Sequence, residues 1–345
     1  MPSSSNAVTA KARAVFGKLL KYEDYVQLAA KTSLAEVCEY LRQTERYEKA
    51  LLKANPQTIH RGQLEALVRN ANFEVIERFH RFDFSDSRNL FTYIISQLEA
   101  EQIITAIEGV AAGSTVKYIS ELPLFLTKHS SVDLLALGTS ESFADILDKL
   151  EGSRYEKPLR KLLLSAHESG KLNINECERR LYTAHYLACL KSLEKNTKGS
   201  QKAELKKCIL RSIDMTNVVS CCRMRAFSGA DSAQIKEKLL PFKYRLTPDA
   251  IDALAEVEDI HKLEQQLAEI GYRTDDTAVF GTPEQLTEKI SLDYLRRIMR
   301  LSQNSSTVYY ALVECMNTEL NNIKTIIEGT RYDMSSSEIL EMLVY

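Results

Sequence analysis

Apolar residues recur at three- and four-residue spacing along almost the whole chain, and alternating Val/Ile/Thr/Tyr runs are scarce. This pattern predicts a chain that is nearly all helix. Pro56 closes the first helical region. A helix is expected over 62–82, with Leu64, Leu67, Val68 and Phe73 on its apolar side, and a second over 86–109. Gly113, Ser114, Pro123 and His129 mark residues 113–129 as an irregular connection. Two short helices follow up to Tyr155. Long helices are then expected near 155–169, 173–195 and 202–227, separated by Gly170 and by the polar stretch 195–200. After Gly229, short helices alternate with turns as far as Gly281, Thr282 and Pro283. Two long helices fill 284–329, and Ser335, Ser336 and Ser337 cap a last short helix over 338–344.

Composition agrees with this picture. Twelve glycines and seven prolines in 345 residues are about half the usual share of roughly 12%, so turns are few and elements long. With 44% apolar residues, the chain can bury a core and is not disordered. Its length suits two or three domains. Lys and Arg number 45 against 47 Asp and Glu, a net charge of -2. That excludes the dominant basic field of a nucleic-acid binder. The seven cysteines are odd in number and scattered, as expected of reduced cytoplasmic thiols. The longest stretch without a charged side chain, Leu301–Val313, is thirteen residues, short of the roughly 20 needed to span a bilayer. The first 21 residues carry Lys11, Arg13, Lys18 and Lys21 and no acid, as a transit peptide would. Glu23 and Asp24 follow at once, and Val15, Phe16, Leu19 and Leu20 form one apolar face, so a structural helix is expected.

Two features occur three times. One is a short helix ending in tyrosine: Val37, Leu41, Tyr47; Ile146, Leu150, Tyr155; and Leu263, Leu267, Tyr272. The tyrosines lie 108 and 117 residues apart. The other is an acid, two residues, an asparagine and an aliphatic: Asp86, Asn89, Leu90; Asp214, Asn217, Val218; and Glu319, Asn322, Ile323. A single copy carries little weight, since Glu314 and Asn317 repeat the spacing without the aliphatic residue. The order carries more, because each tyrosine-ended helix precedes one acid–asparagine pair. On a helix, residues three apart share a face, where both can hydrogen-bond neighbouring backbone and lock helix to helix. A period near 110 residues is too long for the common helical repeats of about 34 to 47 residues.

The residues offer no catalytic centre. Neither G-x-x-x-x-G-K-[ST] nor G-x-G-x-x-G occurs, so no phosphate cradle for nucleotide is present. Nor does H-E-x-x-H or a nucleophile elbow occur. His185 and Cys189 sit four apart on a predicted helix, but two ligands do not make a structural zinc site; a satisfied core pair is expected. Cys221 and Cys222 are expected to be buried, although Arg223 nearby could activate a thiol. An all-helical diphosphate synthase would need an aspartate-rich helix. Asp83 and Asp86 lack the doubled aspartate, and Asp275 and Asp276 fall in a turn. A helical adaptor is the other alternative.

At Lys11–Leu20, Ser33–Tyr47, Asp214–Arg225 and above all Tyr309–Leu343, the chain resembles the C subunit of bacterial and archaeal rotary ATPases, which is similar to the d subunit of the vacuolar enzyme. The most specific residues are Glu319, Asn322, Ile323, Lys324, Ile326, Ile327 and Gly329, followed by a short serine-led helix. Asp214, Asn217, Val218, Arg223 and Arg225 look like the family's middle copy. The first copy departs from it, since no arginine follows Asn89 and Leu90. The resemblance implies an all-α protein of three similar subdomains in a pseudo-threefold, funnel-like arrangement: an N-terminal helix over 1–32 closing onto the third unit, then subdomains over 33–138, 139–255 and 256–345. It implies a non-catalytic central-stalk part joining the shaft to the membrane rotor ring, peripheral on the cytoplasmic face. No cofactor, metal, nucleic acid or membrane insertion is expected. Asp86, Asn89, Asp214, Asn217, Glu319 and Asn322 would anchor the subdomains, and Arg223, Arg225 and Lys324 are candidates to face shaft or ring.

Overall fold

The computed structural model describes residues 2–80, 87–113, 118, 122–274 and 280–345. Among these residues there are eighteen helices and no strand, so the chain is all-α. It divides into two compact units, residues 86–198 and residues 1–85 with 199–345. The smaller unit holds α6 (Ser87–Ala111), α7 (Leu124–Thr127), α8 (Leu134–Leu137), α9 (Phe143–Lys149), α10 (Glu156–Ser169) and α11 (Ile174–Asn196). The larger holds α1 (Pro2–Phe16), α2 (Tyr22–Ala29), α3 (Leu34–Gln43), α4 (Glu48–Leu51) and α5 (Arg61–His80). From the second half of the chain it adds α12 (Gly199–Ser228), α13 (Ser232–Lys238), α14 (Pro248–Ala255), α15 (Ile260–Glu269), α16 (Pro283–Leu301), α17 (Ser305–Arg331) and α18 (Ser336–Met342).

Local chemistry sets most of these ends. Gly170 closes α10 in the left-handed conformation, φ 69°, and its N–H reaches Ala166 O at 2.9 Å. Ser335 caps α18 in a full capping box with Glu338. The stretch 195–200, expected to be a polar turn, is shorter than the sequence suggests: α11 runs to Asn196 and α12 begins at Gly199. Thr197 between them is buried.

In the larger unit α17 is the central helix. It packs against α1, α3, α5, α12, α16 and α18, and burial on nearly every face explains why its first two turns lack charge. The uncharged stretch starting at Leu301 is therefore the exposed end of α16, a three-residue link and the buried start of α17. No helix among the described residues is long and apolar enough to cross a membrane. Ile323, Ile326 and Ile327 join Val37, Leu41, Leu64 and Ile339 in one core cluster. Each fully buried Ile or Leu of this kind stabilises the fold by about 1.5–3 kcal/mol. Gly329 lets α18 approach, since a Cβ there would lie 2.6 Å from Ile339 Cγ1. α1 is pinned by Arg13, whose Nε donates to Met299 O and Nη2 to Ser302 O, both at 2.8 Å. These are carbonyls at the end of α16 that the helix itself leaves unsatisfied. The basic N-terminal stretch is thus helical as far as Phe16; Lys18, Leu19, Leu20 and Lys21 follow the helix end, so Leu19 and Leu20 do not continue its apolar face.

Candidate functional site

The three tyrosine-ended helices are built alike. α3, α9 and α15 each begin with a side-chain cap, from Ser33, Ser142 and Asp259, onto the backbone N–H three residues on. Each buries its two apolar residues, and each is followed by a tyrosine that is almost wholly buried: Tyr47, Tyr155 and Tyr272. A buried phenol needs a partner, and all three find a buried carboxylate. Tyr47 Oη donates to Glu319 Oε1 at 2.6 Å, Tyr155 Oη to Glu99 Oε2 at 2.7 Å, and Tyr272 Oη to Asp214 Oδ2 at 2.5 Å.

The carboxylates also accept from the backbone of the segment that precedes each tyrosine helix. Asp214 takes N–H bonds from Tyr244 at 3.0 Å and Arg245 at 2.7 Å. Glu99 accepts from the Ser131 N–H and from Ser130 Oγ, the latter at 2.9 Å. Glu319 accepts from Leu20 N–H and forms an ion pair with Arg46 at 3.5 Å. Three residues after two of these acids, an asparagine clamps a passing backbone at two points. Asn217 binds both the N–H and C=O of Leu240, at 2.8 and 3.1 Å, and Asn322 does the same to Val344, at 3.0 and 2.6 Å.

The acid that Tyr155 meets, Glu99, is not one that the repeated acid–asparagine pattern singles out. Asp86 lies outside the described residues, as do Asp83, Asp275, Asp276 and the side chain of Asn89. The residue three after Glu99 is Gln102, half-buried. Glu99, Gln102 and Ile103 match the repeated pattern only when the amide is allowed to be the longer one, which is the signal that could have found them. Tyr155 and Tyr272 each bind the acid before them, 56 and 58 residues upstream. Tyr47 takes the last acid, 272 residues downstream.

Burial raises the Tyr47, Tyr155 and Tyr272 phenols well above the usual range, and the partner carboxylate adds to it. Desolvation likewise raises the Glu319 carboxyl, against the pull of Arg46 and Tyr47. These groups satisfy one another, which suits locking helices together. His185, also buried, lies with Nδ1 2.8 Å from Ser96 Oγ, and burial pushes it down to about 3. Cys189, with Sγ 3.7 Å from His185 Nδ1, is pushed up to about 12 by the same cause. Cys221 is buried as expected and Cys222 only half-buried; desolvation raises Cys221 to about 11 and Cys222 to about 12, so both thiols stay protonated at neutral pH. Among the described residues, no three His, Cys, Asp or Glu side chains group as metal ligands would.

The basic candidates lie elsewhere. Arg223 is exposed, and its Nε donates to Glu284 Oε1 at 2.8 Å, tying α12 to α16. Arg225 is exposed and Lys324 half-buried. Phe227, which no sequence motif singles out, is 89% exposed at the end of α12 and shares a helix face with Arg223 four residues earlier. Only the structure separates an exposed aromatic from a core one here.

The model of the ATP synthase (C/AC39) subunit family matches residues 8–342. The A-type ATP synthase C subunit of Pyrococcus abyssi is 24% identical over 343 residues, covering 97% of this chain and 88% of that protein. The corresponding protein of Methanococcoides burtonii is 22% identical, over 99% and 95% of the two chains. That of Thermococcus onnurineus is 24% identical, over 88% and 78%.

Proposed function

This chain belongs to the ATP synthase (C/AC39) subunit family, and from that premise we propose that it is the socket between the central shaft and the membrane rotor ring of a rotary ATPase. It is a structural subunit of an A/V-type ATP synthase, not a catalytic one. In this reading the protein is peripheral, on the cytoplasmic face of the membrane, and transmits torque between shaft and ring for proton or sodium transport linked to ATP turnover.

The observation that carries the reading is the threefold recurrence of a buried tyrosine locked onto a buried carboxylate. It supports three similar subdomains, proposed to stand in a pseudo-threefold funnel, with anchors at Asp214 with Asn217, at Glu319 with Asn322 and at Asp86 with Asn89, and with Glu99 as the partner of Tyr155. A part that transmits torque must not yield internally. Densely packed interiors transmit strain, and hydrogen-bonded buried carboxylates resist displacement because an unpaired charge there is costly. Arg223, Arg225 and Lys324 are the residues we propose to face shaft or ring.

The test is to tag this chain in its own cells, solubilise the membranes gently and identify the co-purifying proteins by mass spectrometry. Shaft, ring and catalytic-head subunits are expected together. Recovery of the chain alone in the soluble fraction would overturn the socket reading.

A further inference from the structure

A cavity of about 400 Å³ opens in the larger unit where the α1–α2 turn meets α16, α17 and Tyr345. That volume falls within the roughly 300–1,000 Å³ typical of small-molecule sites. One wall is aromatic. Tyr345 lies 4.8 Å from Tyr22 and 6.1 Å from Tyr25, centroid to centroid, in tilted contacts, and Tyr22 at the mouth is 48% exposed. The lining also includes Arg296 of α16, half-buried. Its guanidinium makes no hydrogen bond or ion pair among the described residues, and its neighbours include the neutral Tyr25 and Cys315.

The acid lining this cavity does not serve Arg296. Glu319 is already held by the Leu20 N–H, the Tyr47 hydroxyl and Arg46. Other cations that reach into this unit are compensated: Arg46 by Glu319, Lys289 by Asp293 at 3.0 Å, and Arg211 by the Tyr294 ring, 4.1 Å from its guanidinium carbon. A half-buried guanidinium without an anion is unfavourable, and its planar fork fits a carboxylate or phosphate bidentately. Beside it stand ring faces on which a planar group can lie.

We propose that this cavity binds a small aromatic anion, a single ring bearing a carboxylate or phosphate, with the anionic group on Arg296 and the ring against Tyr22, Tyr25 and Tyr345. The site is a property of the isolated chain and does not rest on the rotary reading.

The test is calorimetric titration of the full chain with phenyl phosphate, benzoate, phenol and inorganic phosphate. Phenyl phosphate or benzoate is expected to bind saturably at one per chain, with phenol and inorganic phosphate at least tenfold weaker. Arg296→Gln should weaken the aromatic anion tenfold or more while leaving the melting temperature and far-ultraviolet dichroism unchanged, because no hydrogen bond is lost with it. Tyr22→Ala, at the exposed mouth, should weaken the same ligand severalfold through the ring wall alone. Absence of saturable binding, equal affinity in Arg296→Gln, or inorganic phosphate binding as tightly as phenyl phosphate would each overturn the proposal.

Discussion

The hydroxyl of Tyr47 and the carboxylate of Glu319 meet at 2.6 Å although 272 residues of sequence separate them. The same bond joins Tyr155 to Glu99 across 56 residues and Tyr272 to Asp214 across 58. In the two local cases, one continuous run of chain supplies the acid, the backbone donors and the tyrosine. In the distant case the donors come from Leu20 and Tyr47, and the acid from the penultimate helix, α17. The contact pattern is therefore a repeat whose third member is assembled from both ends of the sequence.

Replacing one of these tyrosines by phenylalanine removes a donor and leaves its carboxylate short of a partner. Each change should cost about 1–3 kcal/mol. Tyr155→Phe should speed amide hydrogen exchange within residues 87–198, and Tyr272→Phe within the larger unit. A uniform change across both units in either variant would contradict the independence of the two locks.

Asn217→Leu leaves the N–H and C=O of Leu240 buried and unpaired. A loss of roughly 1–3 kcal/mol in denaturant titration is expected, with assembly falling before any turnover of the assembled complex changes. Normal stability together with full assembly would remove the anchor role.

Gly329 has no room for a side chain against Ile339 Cγ1. Gly329→Ala should destabilise by about 1–3 kcal/mol through overpacking. Pairing it with Ile339→Ala should make the combined loss smaller than the sum of the two single losses, which a double-mutant cycle measures directly. Strict additivity would show that the two side chains do not share space.

His185 is held neutral, its folded pKa depressed to about 3 from 6.5. Between those values the unfolded chain binds more protons at this site than the folded one. Stability therefore falls as pH drops from 6.5 towards 3, with a slope approaching about 1.4 kcal/mol per pH unit from this group. His185→Gln should flatten that part of the profile when unfolding is followed from pH 7 to 4. An unchanged slope would mean that the imidazole reaches water.

Much of this organisation was legible from residue order. Helical spacing located the long helices to within a few residues, because apolar faces and caps are written locally: Ser33, Ser142 and Asp259 sit where a cap must be. Tyr47, Tyr155 and Tyr272 stood out for the same reason. The partner acids did not all stand out, since Glu99 is followed by Gln102 and pairing is a property of tertiary approach, not of spacing. Phe227 was invisible too. One phenylalanine near a helix end reads as core unless the neighbours that fail to cover it are known. The cavity around Arg296 is lined from four stretches of chain, the first of them far from the others in sequence, and no motif announces it.

Glu319 as the acceptor for Leu20 and Tyr47 also sets a timetable. A ribosome adding about 5–20 residues per second exposes residues 20–47 for some tens of seconds before their partner exists. Residues 86–198, whose lock is local, can close meanwhile. Residues 20–47, made long before Glu319, are thus among the last to become native, and they form the segment for which a chaperone would have most to do.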